Sequence, residues 1–475
     1  MEGLEVSILA LSSVSEENTK IRIDSGFFTK AALQAESLVE RLPNDTLGDL
    51  TDTFRKGIFD IKADTYVDPG DGVPFIRITD IKTGMIQKHS TAWIDHSAHA
   101  QEAKTALRFG DLILSKTAYP AAAIVNLPDC NVSQDTIAVR LSAFGKKHYR
   151  SGYIAAFLNS AHGLALMGRR FQGNIQQHLS LEDGRSIRIP RLDLKFQERV
   201  HALVLLIDRQ QIAVAKAMVT AEEICLAALG FADWAPPEPL AYSAKITDVF
   251  VSGRMDAQYF MPAKEQVRQS LAALPGRRLS ERADSIRDQW MPNRAPPTMQ
   301  VRNYDVTDAL VPLLDAEKEP SYAADIGSMK KVLRDGDVVI SRLRAYLKEV
   351  AVVRTGDDTP SVGSSEFIVL RPRGKAISPE TLMVFLRSAP VQTILKWCQD
   401  GSQHPRFSES DLLSISVPDT LAKVSPKITK IAEEGFNARQ RARKLLEASK
   451  RAVEVAIEDG VPAAMAYLDN SERAI

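Results

Sequence analysis

Residues 109–115 read FGDLILS and residues 335–341 read DGDVVIS, and the interval between them decides the fold. Each is a Gly-Asp pair running into apolar and β-branched positions. That is the grammar of a tight turn feeding a strand, because Gly accepts a positive φ and Asp bonds back to nearby backbone. Working outward, RIDSGFF at 22–28 returns as RMDAQYF at 254–260, and Leu47 in TLGDLTD returns as Leu279 in RLSERAD, both at an offset of 232 residues. The Gly-Asp pairs lie 226 apart. AAFLNSAHG (155–163) and MVFLRSAPV (383–391) lie 228 apart, as do GNIQQHLSLEDGRSIRIP (173–190) and GSQHPRFSESDLLSISVP (401–418). Five blocks in one order, with offsets drifting by a few residues, make the chain a tandem duplication of about 230 residues.

Composition bounds what the repeats do. A chain of 475 residues with 44% hydrophobic content has ample material for about three packed domains. Lys plus Arg and Asp plus Glu are equal at 60 each, so whole-molecule charge favours no anionic partner and only local basic patches carry that argument. Cys130, Cys225 and Cys398 lie far apart without C-x-x-C spacing, which suggests neither a disulfide framework nor a zinc site and fits a reducing cytoplasm. The first twenty residues open with acids instead of a basic segment, and no apolar run approaches the roughly 18 residues that span a bilayer. The expectation is a soluble, cytoplasmic, unexported protein with no membrane partner.

Within each repeat, β-branched stretches such as PFIRITDI, DLILSKT and TIAVRL, or DVVISRL, VAVVR and EFIVLRP, read as strands with a period of two. After Pro190 and Pro418 the period changes. Val200, Ile207, Val214, Ala221 and Ala228 recur every seven residues with Val204, Gln211, Met218 and Cys225 between them. In the second repeat Ile431, Ala438, Leu445 and Ala452 do so, with Ile428, Ala442, Ser449 and Ala456 between. The expected fold class is α+β: two tandem repeats, each a mixed α/β domain followed by a helix of about 35 residues, roughly 50 Å long, the two helices pairing as an antiparallel coiled coil. The expected divisions are a lead-in at 1–45, a first domain at 46–190 and its helix at 191–232. A proline-bearing linker with the second lead-in follows at 233–277, then a second domain at 278–418 and a helix with tail at 419–475.

Two similar but diverged modules joined by rigid rods suit two separated features on a long polymer, and local chemistry favours DNA. Between Lys330 and Arg354 seven basic residues face three acidic ones, a net of +4. GRRFQGNIQQH (168–178) supplies Arg169, Arg170, Gln172, Asn174, Gln176, Gln177 and His178, and the matching segment supplies Gln403, His404 and Arg406. Arg with Asn or Gln reads base edges in the major groove, and Lys or Arg contacts phosphates. Arg77, Lys82, Lys116, Thr117, Arg302, Asn303, Arg342, Arg344 and Lys348 complete the candidate DNA-binding set. Beside this stands the plainer reading that they are solvated turn residues. Tyr66, Tyr119, Tyr346 and Trp290 have the π-faces to stack on bases, although single aromatics in strand-rich domains usually pack in cores.

No catalytic residue is nominated. The chain has no [N/D]-P-P-[Y/F] tetrapeptide, no Gly-rich cofactor loop and no H-x-x-x-H pair, and Pro418-Asp419 with Lys423 and Lys427 lacks the acid-to-lysine spacing of a nuclease core. No cofactor and no metal are expected.

The order PFIRITDIKTGMI, LRFGDLILSKT, FLNS, GNIQQHLSLED…IRIP and then a long helix resembles the DNA specificity (S) subunit of type I restriction-modification systems, with its tandem target-recognition domains. The resemblance runs from about Arg22 to about Gly460. It implies that each recognition domain reads one half of a split site in double-stranded DNA. The paired helices then set the gap and dock two copies of an adenine-N6 methyltransferase subunit, which a translocating endonuclease subunit joins in defence against phage and other foreign DNA. Catalysis then belongs to the partners. Two departures stand out: the second repeat offers only TMQVRNYDV for FIRITDI, and its helix lacks the Gln197-Glu198 opening of the first. The alternative reading is a non-catalytic scaffold that bridges such subunits without reading bases itself.

Overall fold

The computed structural model describes residues 8, 14, 22–81, 85–86, 91–173 and 176–474. The chain forms two compact units, one of residues 1–212 with 439–475 and one of residues 213–438. The duplication is visible in each.

In the first unit the strand after the Gly110-Asp111 turn, Leu112–Ser115, is buried at all four positions. It sits inside an antiparallel sheet ordered Thr51–Lys56, Thr136–Leu141, Leu112–Ser115, Ala122–Ile124. Its side chains alternate between two cores instead of between core and water. Leu112 and Leu114 join a helix-backed cluster with Tyr153 and Phe157, while Ile113 joins Ile76 and Val132. The latter two come from a second sheet, ordered Ala92–Ile94, Val73–Ile76, Asp129–Val132, Leu107–Arg108, in which the middle pair is parallel. A strand covered on both faces needs an unbroken apolar run, and LILS supplies one.

Among the described residues, the second unit repeats the plan with one more strand in each sheet. The first is ordered Ala283–Ile286, Phe367–Pro372, Val338–Ser341, Val350–Arg354, Leu313–Asp315, and the second Gln289–Trp290, Lys330–Leu333, Ser361–Gly363, Gln300–Tyr304, Ser321–Tyr322. Again Val338 and Ile340 face one core and Val339 the other. Gln300–Tyr304 pairs in parallel with Ser361–Gly363, so the second repeat does have a counterpart of FIRITDI. Arg77 and Asp305 open matching short turns closed by Asp80 and Asp308. The apolar spelling was lost and the strand was kept.

The Gly-Asp pairs are structural, as their turn reading required. Gly110 and Gly336 take φ of +90° and +80°, where a Cβ would be strained. Asp111 Oδ2 accepts the Arg108 backbone N–H at 2.9 Å and pairs with Arg140 at 2.9 Å. Asp337 Oδ2 accepts Arg334 N–H at 2.8 Å and its Oδ1 pairs with Arg371 at 2.8 Å. The Arg-x-Asp lead-ins are clasps of equal regularity. Arg22 binds Asp24 at 2.7 Å and the Arg169 carbonyl at 2.7 Å, and Arg254 binds Asp256 at 2.6 Å and the Cys398 carbonyl at 3.2 Å. Each ties its lead-in to the C-terminal end of a domain helix, Ala161–Gly168 or Ala389–Cys398.

Two long helices follow, Leu194–Leu229 and Thr420–Glu458, of 36 and 39 residues and hence about 54 and 58 Å. Within the first unit, Val200, Val204 and Ile207 share a core with Leu445, Ala452 and Ala456. Within the second, Ala221, Cys225 and Leu229 share one with Leu421 and Ile428. The helices therefore run antiparallel, and Gly435 approaches so near that a Cβ there would lie 3.0 Å from Ala217 Cβ. Each unit also receives a carboxylate from the long helix of the other repeat: Glu454 caps the Ala161 N–H at 2.8 Å and Glu222 the Ala389 N–H at 3.2 Å. The tail beyond Gly460 is a further helix, Val461–Ala474, whose Leu468 enters the first core.

The Asp337 side chain is fully buried and Arg371 is about one-third exposed, so an amide in place of that carboxylate leaves a guanidinium poorly matched. Asp337→Asn is expected to destabilise residues 213–438 by about 2–3 kcal/mol, read as a lower urea midpoint at unchanged slope; an unchanged midpoint contradicts the role given to this pair.

Candidate nucleic-acid interface

In both units the central strand passes the chain to a loop, residues 116–120 or 342–348. Ser115 N–H closes the first on Ala121 O at 2.8 Å and Ser341 N–H the second on Glu349 O at 2.9 Å. The two additional residues in the second loop account for the drift in offset from 226 to 228. Against each lies the loop of the GNIQQH or GSQHPRF block. Thr117 bridges His178 and Leu343 bridges Arg406, with Ala118 N–H on Gln177 O at 3.0 Å and Arg344 N–H on Pro405 O at 3.0 Å. Two segments some sixty residues apart in sequence thus form one two-loop surface, built twice.

The surface is held in uncommon backbone. Ala118 and Arg344, at equivalent positions, take φ of +64° and +45°, and Lys348 takes +54°. Non-glycine residues in the left-handed region persist only where surroundings over-determine them, and they cluster at functional loops. Gly173 has no such choice: at φ +123° a Cβ would meet Gln176 O at 2.3 Å.

Each surface also rests on an acid that the sequence reading passed over, Asp135 or Glu366. The signal was a sixth recurring block, QDTIAVRL and SEFIVLRP, at an offset of 231. Lys116 N–H donates to Asp135 O at 2.8 Å and Arg342 N–H to Glu366 O at 3.1 Å. The Glu366 carboxylate binds Arg342 Nε at 2.8 Å and Arg406 Nη2 at 2.8 Å. The Arg406 guanidinium, seconded by Arg342, draws this carboxyl down to about 2 against the opposing effect of partial burial. In the first repeat, burial and then the neighbouring Lys56 push the Lys116 ammonium below its ordinary value, with Asp135 pulling the other way. Lys56 was also missed. Its Nζ lies 4.4 Å from the ring centroid of Phe59, an aromatic left 69% exposed.

The candidate residues divide into groups. Gln176, Gln177, His178, Gln403 and His404 are exposed, Lys116, Arg344, Lys348 and Arg406 are half-buried, and Arg342 is exposed; all lie on the two-loop surfaces. Thr117 is buried beneath the first. Arg344 Nη2 lies 3.4 Å from His404 Nδ1. Arg77 is half-buried at the edge, paired with Asp80 at 3.3 Å, and Tyr119 O–H donates to Ile78 O at 3.0 Å to join that edge to the first surface. Gln172 turns inward to Asp183 at 3.1 Å.

Three arginines leave the surface altogether. Arg169 is buried against Glu36 with its guanidinium 4.0 Å from the Phe27 ring centroid. Arg170 is buried on Leu166 O at 2.8 Å and Ser186 Oγ at 3.1 Å. Arg302 is buried on Asp357, with one contact at 2.6 Å, and its guanidinium holds that carboxyl far below the usual carboxylate range. Asn303 is half-buried on the same strand. Lys82 and Asn174 lie outside the described residues. No group of three or more His, Cys, Asp or Glu able to hold a metal occurs among the described residues, and no described helix is long and apolar enough to cross a membrane. The three cysteines are free and buried.

No family model matches the chain, and no curated protein does. Among solved structures it is similar to a type I restriction-modification system S subunit from M. genitalium, at 11% identity over 89% of this chain and 95% of that one, with a TM-score of 0.37. It is also similar to the HsdS subunit from Thermoanaerobacter tengcongensis, at 15% identity over 88% of this chain and 97% of that one, with a TM-score of 0.26. Superpositions this loose carry no argument about function.

Because Glu366 titrates lower in the folded chain than in the unfolded one, its ion pairs contribute stability above about pH 4.5. That contribution is lost as pH falls through about 2. Glu366→Gln is expected to cost about 1 kcal/mol at pH 7, the pair being partly screened by solvent. The gap to the native chain should narrow below pH 4.5 in urea titrations; a gap constant down to pH 3 contradicts the assignment.

Proposed function

We propose that this chain is a non-catalytic specificity subunit that reads a two-part site in double-stranded DNA. In this reading it directs adenine-N6 methyltransferase subunits, two copies by the symmetry of the repeats, and a translocating restriction endonuclease subunit to that site, in the cytoplasm. The observation that carries it is the pair of two-loop surfaces, alike in backbone and different in side chains. One offers Lys116, Gln176, Gln177 and His178; the other offers Arg342, Arg344, Gln403, His404 and Arg406. A scaffold that stays fixed while its exposed polar residues change is what reading two different half-sites requires, since sequence is read by side chains that reach base edges. A pure protein-bridging scaffold has no need of left-handed residues at matching loop positions. The resemblance in motif order favours the same partners.

Modification sequencing of DNA from cells expressing the chain with its methyltransferase partner tests this reading. A split motif of N6-methyladenine should appear only when the chain is present; the same methylation without it, or none with it, overturns the proposal.

Both units draw on both long helices, so one heptad inserted into each at matched positions is expected to change the number of bases between the half-sites while their sequences persist. The same sequencing reads the outcome, and altered half-site sequences at unchanged spacing count against it.

A further inference from the structure

We propose that Arg342, held at its Nε by Glu366, reads a guanine in the DNA half-site bound by the second repeat, and that Glu366 is its positioning residue. This rests on the DNA-reading function proposed above and assigns one base to one side chain.

The geometry points there in three steps. First, the Glu366 carboxylate is already occupied. Arg342 Nε takes Oε2 at 2.8 Å, and Arg406 takes Oε1 through Nη2 at 2.8 Å and Oε2 through Nε at 3.1 Å. With both oxygens engaged, Glu366 is a brace for cations and not itself a reader.

Second, Arg342 is bound by Nε alone. Its Nη1 and Nη2 make no hydrogen bond among the described residues, and the side chain is 46% exposed. What remains outward is a planar two-donor fork, whose spacing matches the N7 and O6 acceptors that guanine presents in the major groove. A guanidinium already held in place loses fewer rotamers on binding than a mobile one. The Arg406 fork is spent differently: its Nη1 donates to the His404 carbonyl at 3.1 Å, so Arg342 is the better placed reader.

Third, the first repeat supplies a contrast within the same chain. At the positions of Glu366, Arg342 and Arg406 it carries Asp135, Lys116 and His178. Lys is a point charge without a fork and contacts phosphate as readily as a base. The equivalent position therefore reads guanine in one repeat and lacks that reader in the other. The left-handed Arg344 and Lys348, in the loop that begins at Arg342, fix the course of the backbone beyond it.

The test is selection of bound duplexes from a randomised DNA library by the full chain, comparing the native protein, Arg342→Lys and Glu366→Gln, each first shown by a cooperative urea transition to be folded under the selection conditions. Arg342→Lys keeps the charge and removes the fork. It should erase the preference for one guanine by about 10- to 100-fold, leave the other half-site sequence intact, and keep the salt dependence of binding. Glu366→Gln should loosen the same position and also steepen the salt dependence, because one negative charge is gone. An Arg342→Lys chain that selects the native motif undiminished overturns this inference alone, as does a loss of affinity spread evenly over all sequences. A native chain that selects no motif overturns the proposed function, and this inference falls with it.

Discussion

In both repeats an aspartate at the entrance of the central strand reaches back to its own turn and across to an arginine of the neighbouring strand. Asp111 does this with Arg140, and Asp337, fully buried, with Arg371. A buried carboxylate without its partner costs far more than the pair returns, so such an ion pair acts chiefly as a constraint on register. A slip of one residue would leave the charge alone and exchange the two cores that the strand's alternating side chains fill. With one end of Leu112–Ser115 or Val338–Ser341 pinned, the other end must deliver its loop to a fixed place, and there the chemistry of the candidate surface begins.

The frame tolerates replacement so long as each physical requirement is met from somewhere. Both lead-ins place an aromatic ring beneath a cation. In the first repeat the cation comes from Arg169, 4.0 Å from Phe27; in the second Lys264 lies 3.2 Å from Tyr259. These cations are not equivalent in sequence. Arg169 corresponds to Trp397, and Lys264 to Ala32. The lead-in arginines, Arg22 and Arg254, lie over the same rings at 4.9 and 4.8 Å from equivalent positions, so one cation is kept in place and the second comes from the end of one helix in the first repeat and the start of another in the second.

The frame was largely legible in the sequence. Heptad positions such as Val204, Ile207, Ala221, Cys225, Ala438, Leu445 and Ala452 are buried, because a helix periodicity reports its own burial. The turn role of Gly110-Asp111 followed from residue type alone. The surface was harder to see. Arg169, Arg170 and Arg302 looked like DNA contacts by their chemistry, yet all three are buried, and the acids that hold Arg169 and Arg302, Glu36 and Asp357, come from distant segments that no local pattern announces. Asp135 and Glu366 escaped for the opposite reason. An acid in a search for cations reads as noise, although its block recurs as faithfully as the others. The strand Gln300–Tyr304 was obscured by a polar spelling, QVRNY, in which Val301 and Tyr304 enter separate cores on opposite faces while the buried Arg302 is matched by Asp357.

The interleaving of the long helices also bears on how the chain is made. The core of the first unit contains Ala442, Leu445, Ala452, Val453, Ile457 and Leu468 alongside residues from Ala35 to Ile207, whereas the second unit is complete within residues 213–438. During synthesis the domain that emerges first must therefore wait, with an apolar helix face uncovered, until the whole of the other has been translated. The later domain closes on itself sooner. Nascent chains expose such surfaces to chaperones and to one another, so the earliest part of this protein has the longest period of vulnerability, set by the number of residues the ribosome must still add.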